Sequence, residues 1–141
     1  MQIAIINGPN LNLLGVREPE VYGTTNFDAY LETLNTKFPV ISFSYFQSNV
    51  EGELVNELQR VGFTADGIVL NAAAYTHTSI AIGDAVAAIS TKVVEVHISN
   101  IFAREPFRSQ SLISAKSIGV ISGFGFQGYA LAVQYFVEAK L

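Results

Sequence analysis

The sequence predicts an α/β fold, specifically a flavodoxin-like five-stranded parallel sheet with helices on both faces. Short runs rich in β-branched residues alternate along the chain with longer segments whose apolar residues recur every three or four positions. The chain has 141 residues, and no linker, repeat or low-complexity segment divides it. We therefore expect a single domain over residues 1–141.

Five segments have the composition of strands. They are residues 2–7, 40–47, 67–71, 92–99 and 117–122. The turn signal Gly8-Pro9-Asn10 closes the first of them. Strands that alternate with helices form a parallel sheet, because each crossover helix packs back onto a face of that sheet.

Four segments have helical periodicity. They are residues 27–38, 50–61, 79–90 and 127–139. Asn26 is placed to cap the first helix, which Pro39 stops, and Gly62 ends the second. Thr76, Thr78 or Ser79 is available to cap the third.

Composition excludes several classes of protein. Hydrophobic residues make up 50% of the chain and charged residues 14%, which excludes disorder and indicates that other subunits cover part of the surface. The absence of cysteine excludes disulfides and thiolate metal sites. A net charge of −4 without a basic run argues against binding to nucleic acid or an anionic membrane. With no basic leader and no apolar stretch long enough to span a membrane, we expect a cytoplasmic protein.

Polar residues end several of the predicted strands. Asn7 closes the first strand, Asn71 the third, and His97 and Ser99 the fourth. Ligands of open parallel sheets bind beyond the carboxyl ends of the strands. The sequence therefore predicts a ligand site at that edge.

The fourth strand carries an unusual pair of ionisable residues. Alternation places Glu95 and His97 on the same face of a strand that would normally be apolar throughout. Glu95 is positioned to orient the imidazole and fix its tautomer. The spacing alone is also compatible with a purely structural ion pair near the end of the strand.

A long loop, residues 7–23, follows the first strand and contains Arg17 and Tyr22. An arginine beside a phenol favours the phenolate, and such a tyrosine can act as a general base. An ordinary polar surface loop with a packed tyrosine would have the same composition.

A second segment, residues 71–79, places His77 beside the predicted start of a helix, where anions bind readily. A solvated histidine in a capping loop is the alternative for this residue. No histidine or carboxylate pair has the helical spacing typical of metal ligands, so we expect no metal site.

Specific positions argue against three other kinds of protein: a dinucleotide-binding domain, a flavodoxin and a phosphorylated receiver domain. Residues 123–128, GFGFQG, match a dinucleotide-binding pattern, but no second strand or acidic residue follows. The loop after the first strand is rich in Asn and Leu, whereas a flavodoxin would have a phosphate loop rich in Ser and Thr. Asn7 and Asn71 stand where a phosphorylated receiver domain would have acidic residues.

Five segments together resemble the type II 3-dehydroquinate dehydratase family over almost the whole chain. They are NGPNLNLLG (7–15), REPEVYG (17–23), NAAAYTHTSIAI (71–82), VEVHISNI (94–101) and AREPFR (103–108). The resemblance implies a single catalytic domain that converts 3-dehydroquinate to 3-dehydroshikimate by anti elimination of water through an enolate, without a cofactor.

The resemblance also implies roles for individual residues. Tyr22 would remove the C2 proton, with its pKa lowered by Arg17. His97 would protonate the leaving C1 hydroxyl, with Glu95 behind it, and Asn12 would hold a water at the enolate oxygen.

The remaining implied roles concern substrate binding. Asn71 and the backbone of Ile98 and Ser99 would bind the substrate carboxylate, whereas His77 and Arg108 would hold the ring hydroxyls.

Assembly is implied by the same resemblance. Asp84 would reach the site of a neighbouring subunit, in a family that assembles trimers into dodecamers. Gly83 stands where many members have arginine, and Phe102 where a polar residue is common.

There are two alternatives to an enzyme that forms an enolate. A lysine imine is disfavoured because the four lysines (37, 92, 116 and 140) open strands or lie near helix ends, away from the predicted site. A non-catalytic flavodoxin-like domain that binds a small molecule is the other alternative.

Overall fold

The computed structural model describes residues 1–16, 18–22 and 24–140, without the side chains of residues 21 and 22. Five parallel strands form one sheet in the order β2-β1-β3-β4-β5. They are β1 (Gln2–Asn7), β2 (Ser42–Gln47), β3 (Gly67–Asn71), β4 (Val93–His97) and β5 (Gly119–Ser122). This strand order is the flavodoxin-like order, so the predicted fold class is confirmed.

The α-helices follow the predicted segments closely. They are α2 (Phe27–Lys37), α3 (Glu51–Val61), α4 (Ile80–Ala88) and α5 (Gln127–Ala139), preceded by a short helix α1 (Pro19–Tyr22) that the sequence did not predict. Asn26 caps α2 by accepting a hydrogen bond from Ala29 N at 2.8 Å. Ser79 caps α4 by accepting one from Ile82 N at 2.9 Å.

The helix α3 ends at Gly62, as predicted. Gly62 has φ −67°, an ordinary right-handed value. A Cβ at this position would lie 2.4 Å from Ile89 Cγ2 and 2.5 Å from the Leu58 carbonyl oxygen. Close packing against the end of α4 therefore explains the glycine.

The connection from β4 to β5 differs from the others because it contains no α-helix. It consists of three 3₁₀ helices, Ile101–Ala103, Pro106–Ser109 and Ser114–Lys116. β4 also ends at His97, two residues earlier than predicted. The carbonyls of His97 and Ile98 accept hydrogen bonds from Gly123 N (3.2 Å) and Gly125 N (3.0 Å) in the turn after β5.

Alternation along the strands divides the core into two layers. One cluster joins residues such as Ile3, Ile5 and Val94 to α2 and α5. The other joins Ala4, Val93 and their neighbours to α3 and α4. Glu95 and His97 alternate with Val94 and Val96, so they lie with Val93 on the α3/α4 face. They share one face of the strand, as predicted.

No helix within the described ranges is long and apolar enough to cross a membrane.

Candidate active site

A cavity of about 190 Å³ opens at the carboxyl edge of the sheet, beyond β3 and β4. Its lining contains six of the residues that the sequence predicted: Asn71, His77, His97, Ile98, Ser99 and Arg108. They come from the end of β3, the 3₁₀ helix before α4, the end of β4 and the β4–β5 connection. The parallel sheet brings these separated segments to one edge.

Glu95 and His97 form a buried pair behind this cavity. Glu95 Oε1 lies 2.5 Å from His97 Nε2, with the carboxylate inaccessible to solvent and the His97 side chain 5% exposed. Burial acts to raise the pKa of Glu95. Hydrogen bonds from His97, Ser114 and Ser111 outweigh burial, however, and hold the pKa below its ordinary value. The carboxylate is therefore ionised at neutral pH. Because it is hydrogen-bonded to Nε2 of His97, Nδ1 is the ring nitrogen left for a ligand in the cavity.

His77 lies beside this pair. Its ring is nearly parallel to the ring of His97, with the centroids 6.3 Å apart. His77 Nδ1 is 2.6 Å from the carbonyl oxygen of Gln110, and because a carbonyl only accepts, Nδ1 carries the proton. The Nε2 atom of His77 is therefore left as the nitrogen for a ligand in the cavity.

Asn71 belongs to a second buried group of polar side chains. Its Nδ2 donates to Tyr129 Oη at 2.9 Å, and Tyr129 Oη donates to Asn7 Oδ1 at 2.7 Å. Asn71 Oδ1 accepts from Ala73 N at 3.1 Å. These bonds fix the orientation of the Asn71 amide at the cavity wall. The role of Tyr129 was missed, because no pattern in the sequence points to it.

Among the residues that the structure describes, Arg104 and Arg108 line the cavity, and the sequence singled out only Arg108 of these two. Arg108 Nε donates to Glu105 Oε2 at 2.5 Å, and the guanidinium lies over the ring of Phe107 at 5.1 Å. Arg104 Nη1 donates to Ser99 Oγ at 3.2 Å. The signal that could have found Arg104 is its spacing, since two arginines four residues apart stand out in a chain with 8 Lys and Arg in total.

The comparisons with known proteins agree on one family. The model of the family described as "Dehydroquinase class II" matches residues 1–137. The chain belongs to the class II dehydroquinase family. A 3-dehydroquinate dehydratase of Fusobacterium nucleatum is 51% identical over 143 residues, which is 98% of this chain and 97% of that protein. One from an Exiguobacterium species is 50% identical over 139 residues, 98% of this chain and 95% of that protein.

Solved structures of the family share the fold. The type II dehydroquinase from Butyrivibrio crossotus superimposes with a TM-score of 0.93 at 42% identity, over 97% of both chains. The enzyme from Propionibacterium acnes gives a TM-score of 0.90 at 38% identity, over 97% of this chain and 96% of that one. The alternative of a non-catalytic binding domain is not favoured by these matches.

Three residues predicted for a class II dehydroquinase site are not tested by the cavity. Arg17 lies outside the described residues, and so does the side chain of Tyr22, the last residue of α1. Within the described part of the chain, the lining includes Asn10 and Leu11 but not the exposed Asn12. Asn12 Oδ1 lies 3.5 Å from Gln47 Nε2.

Asp84 is separate from the cavity of its own chain. Its side chain is 72% exposed on α4, where Oδ1 lies 3.6 Å from Lys116 Nζ. The neighbouring Gly83 has no space for a side chain, because a Cβ there would lie 2.6 Å from the Leu112 carbonyl oxygen. This contact explains why this class II dehydroquinase has glycine at the position.

The polar groups of the cavity suit an organic substrate. They are imidazoles, guanidinium groups, the amides of Asn10 and Asn71, the Ser99 hydroxyl and backbone groups. Among the residues that the structure describes, no group of three His, Asp or Glu side chains is placed to hold a metal ion.

Proposed function

We propose that the chain catalyses the dehydration of 3-dehydroquinate to 3-dehydroshikimate, in a pocket built at the carboxyl edge of its sheet. The observation that carries this function is the buried Glu95–His97 pair, which opens onto a cavity lined by Asn71, His77 and Arg108. Removal of water from a β-hydroxy ketone needs a base, an acid and a place for charge on oxygen. The relatives named 3-dehydroquinate dehydratase support this reaction in particular.

The acid in our proposal is His97. Glu95 holds Nε2 at 2.5 Å and stabilises the positive charge of the imidazolium, so Nδ1 donates the proton to the C1 hydroxyl as its bond to carbon breaks. The product is an alkene conjugated with the ketone, and the hydroxyl leaves as water.

The base in our proposal is Tyr22, with Arg17 beside it. The phenolate takes the C2 proton, and the electron pair moves onto the ketone oxygen as an enolate, where a water held by Asn12 donates a hydrogen bond. When the electron pair returns, the C1–C2 double bond forms and the hydroxyl departs. Tyr22 then carries one extra proton and His97 lacks one, so solvent returns a proton from the tyrosine to the histidine before the next turnover.

Substrate binding falls to the remaining groups. We place the carboxylate at Asn71 and at the backbone of Ile98 and Ser99, and the ring hydroxyls at His77 and Arg108. The fixed amide of Asn71 and the assigned tautomer of His77 support this arrangement. The reaction transfers protons and water but no electrons, so the side chains suffice and we propose no cofactor.

An imine mechanism is disfavoured by the lysines. None of the four lines the cavity within the described ranges. Lys140 Nζ pairs with Asp66 Oδ1 at 2.7 Å, and Lys116 pairs with Asp84 on the surface of α4. The enolate route needs none of them.

We also propose that the enzyme assembles as trimers in a dodecamer, with Asp84 reaching a neighbouring site. In the isolated chain, Ile80 on the same helix is 68% exposed, so an apolar side chain of α4 is open to contact with a neighbouring subunit. Light scattering at assay concentration tests the assembly, and a fully active monomer would contradict it. The cytoplasmic location stays a prediction, testable by cell fractionation.

The direct experiment adds purified protein to 3-dehydroquinate and follows the absorbance of the conjugated enone. We expect turnover without any added metal or cofactor, including after dialysis against a chelator. If 3-dehydroquinate binds in a calorimeter but no enone forms, the chain is a binding domain and the proposed function is wrong.

A further inference from the structure

The segment behind Glu95 contains two serines that contact its carboxylate. Ser111 Oγ lies 3.0 Å from Oε1 and 3.2 Å from Oε2, and Ser114 Oγ lies 2.6 Å from Oε2. Together with His97 Nε2, these hydroxyls surround a carboxylate that has no contact with solvent. Glu95 is therefore held by one side chain of its own strand and two from the β4–β5 connection.

Within the described part of the chain, the hydroxyl of Ser111 has only the Glu95 carboxylate as an acceptor for its proton. Ser111 Oγ accepts hydrogen bonds from Ile113 N at 3.1 Å and from Ser114 N at 3.0 Å. A hydroxyl has two lone pairs and one proton, so with both lone pairs engaged the proton is left for the carboxylate. This turn fixes Ser111 as a donor to Glu95.

The serine segment is itself anchored on both sides. Ile113 is completely buried and packs in the α3/α4 cluster. Leu112 N donates to the Thr76 carbonyl oxygen at 2.9 Å, in the 3₁₀ helix that also carries His77. The two hydroxyls therefore belong to a rigid support.

We propose that Ser111 and Ser114 are positioning residues of the dehydration reaction, which hold Glu95 as an oriented carboxylate and through it aim His97 at the leaving hydroxyl. This inference rests on the proposed function. Neither serine lines the cavity among the described residues, so both act through Glu95.

The physical reason is the cost of burying a carboxylate. An ion without solvent is tolerated when its lone pairs are satisfied by hydrogen bonds, and two of the three donors here are the serines. The other titratable or charged side chains nearby are His77, Arg104 and Arg108, which line the same cavity as His97. The Asp84–Lys116 pair lies on the outer surface of α4.

The test compares Ser111→Ala, Ser114→Ala and the double variant with wild type. General acid catalysis contributes about 10²–10⁴-fold, so we expect kcat to fall roughly tenfold in each single variant and further in the double variant, with KM nearly unchanged. Deuterium exchange at C2 should persist, because the base is untouched. Without these donors Glu95 is a weaker partner for the imidazolium of His97, so the alkaline limb of the kcat profile, where the proposed acid is lost, should move to lower pH.

Controls separate positioning from folding. Ser117→Ala is the matched control, since Ser117 Oγ donates to the Ile113 carbonyl and not to Glu95. Ser114→Thr keeps the hydroxyl and should restore kcat, whereas Ser114→Cys keeps the volume with a weak donor and should not. Thermal unfolding verifies that each variant is folded.

The inference is overturned if folded Ser111→Ala and Ser114→Ala variants match Ser117→Ala in kcat and pH profile. It is also overturned if C2 exchange and water loss fall together, because that pattern indicates general damage to the pocket. An inactive wild-type protein would instead contradict the proposed function, so the two failures are distinguishable.

Discussion

Two buried polar clusters lie on opposite faces of the sheet, both near the carboxyl ends of its strands. The ionic cluster (Glu95, His97, Ser111 and Ser114) faces α3 and α4, and the neutral cluster (Asn7, Asn71 and Tyr129) faces α5. In the ionic cluster, three hydrogen-bond donors stabilise the charged form of one carboxylate. The neutral cluster satisfies amides and a phenol without any charge, and burial raises the pKa of Tyr129 far above its ordinary value.

The difference between the clusters shows that one edge of the sheet carries two kinds of buried polar group, one suited to proton transfer and one that maintains the shape of the pocket. A group that must exchange protons requires a buried charge with dedicated partners, whereas a group that only fixes the shape of a pocket is held by neutral hydrogen bonds at lower cost. We therefore expect variants in the ionic cluster to change rate and variants in the neutral cluster to change stability.

The largest effect is expected for His97→Ala. Loss of the proposed acid should lower kcat for water loss by about 10²–10⁴-fold. His97 is only 4% exposed, so circular dichroism and thermal unfolding must show that the variant is folded. A kcat close to wild type would mean that another group is the acid.

Glu95→Gln should have the next largest effect. The amide keeps the shape of the side chain but removes the negative charge opposite His97 Nε2, and it cannot accept from all three donors as a carboxylate does. We expect kcat to fall by roughly tenfold or more, within the range that a general acid contributes. Steady-state kinetics measures this fall in kcat. The control is Glu138→Gln, which makes the same change at an exposed position near the end of α5. Equal kcat for the two variants would contradict a role for this carboxylate.

Tyr129→Phe, in the neutral cluster, should lower the stability of the protein more than its kcat. It leaves Asn7 Oδ1 and Asn71 Nδ2 without their buried partner, which costs about 1–3 kcal/mol in the free energy of unfolding. We expect kcat to change little and KM to rise modestly as Asn71 becomes less fixed. Denaturant unfolding beside Tyr135→Phe, an exposed tyrosine on the same helix, isolates the buried hydroxyl. A large loss of kcat with unchanged stability would erase the distinction between the clusters.

The smallest effect is in the pH dependence of unfolding. The pKa of Glu95 is lowered on folding, so its stabilising contribution is present above the ordinary glutamate value of 4.5 and is lost as pH falls through the folded pKa. The pKa of Tyr129 is raised from 10.0, so folding loses stability as pH rises above about 10. Denaturant titrations of wild type and both variants measure the free energy of unfolding as a function of pH. Its slope at acidic pH should be reduced only in Glu95→Gln, and its slope at alkaline pH only in Tyr129→Phe.

The fold was predictable because its strands are short, continuous and bounded. Residues 2–7 and 67–71 were predicted with their observed limits, since the buried runs end at Asn7 and Asn71. The second strand was predicted two residues too long, because Val40 has strand-like composition but is 86% exposed in the turn after α2. Composition alone does not report such exposure.

The candidate site was predictable where it depends on local alternation. Glu95 and His97 are two residues apart on one strand, so their shared face follows from the pleat. Ser111 and Tyr129 contribute through contacts spanning 16 and 122 residues of sequence, and serines in loops or tyrosines in amphipathic helices carry no periodic signal for such contacts. Only the folded chain reveals them.

The most direct measurement follows deuterium entering C2 of 3-dehydroquinate in D₂O, together with water loss, for His97→Ala and Tyr22→Phe. Because the proposed enolate forms before the hydroxyl departs, we expect His97→Ala to exchange C2 hydrogen while losing nearly all dehydration. Tyr22→Phe should lose both. If His97→Ala eliminates water at close to the wild-type rate, or Tyr22→Phe keeps more than about a tenth of wild-type turnover against the 10²–10⁴-fold typical of a lost general base, the division of labour proposed for this site is wrong.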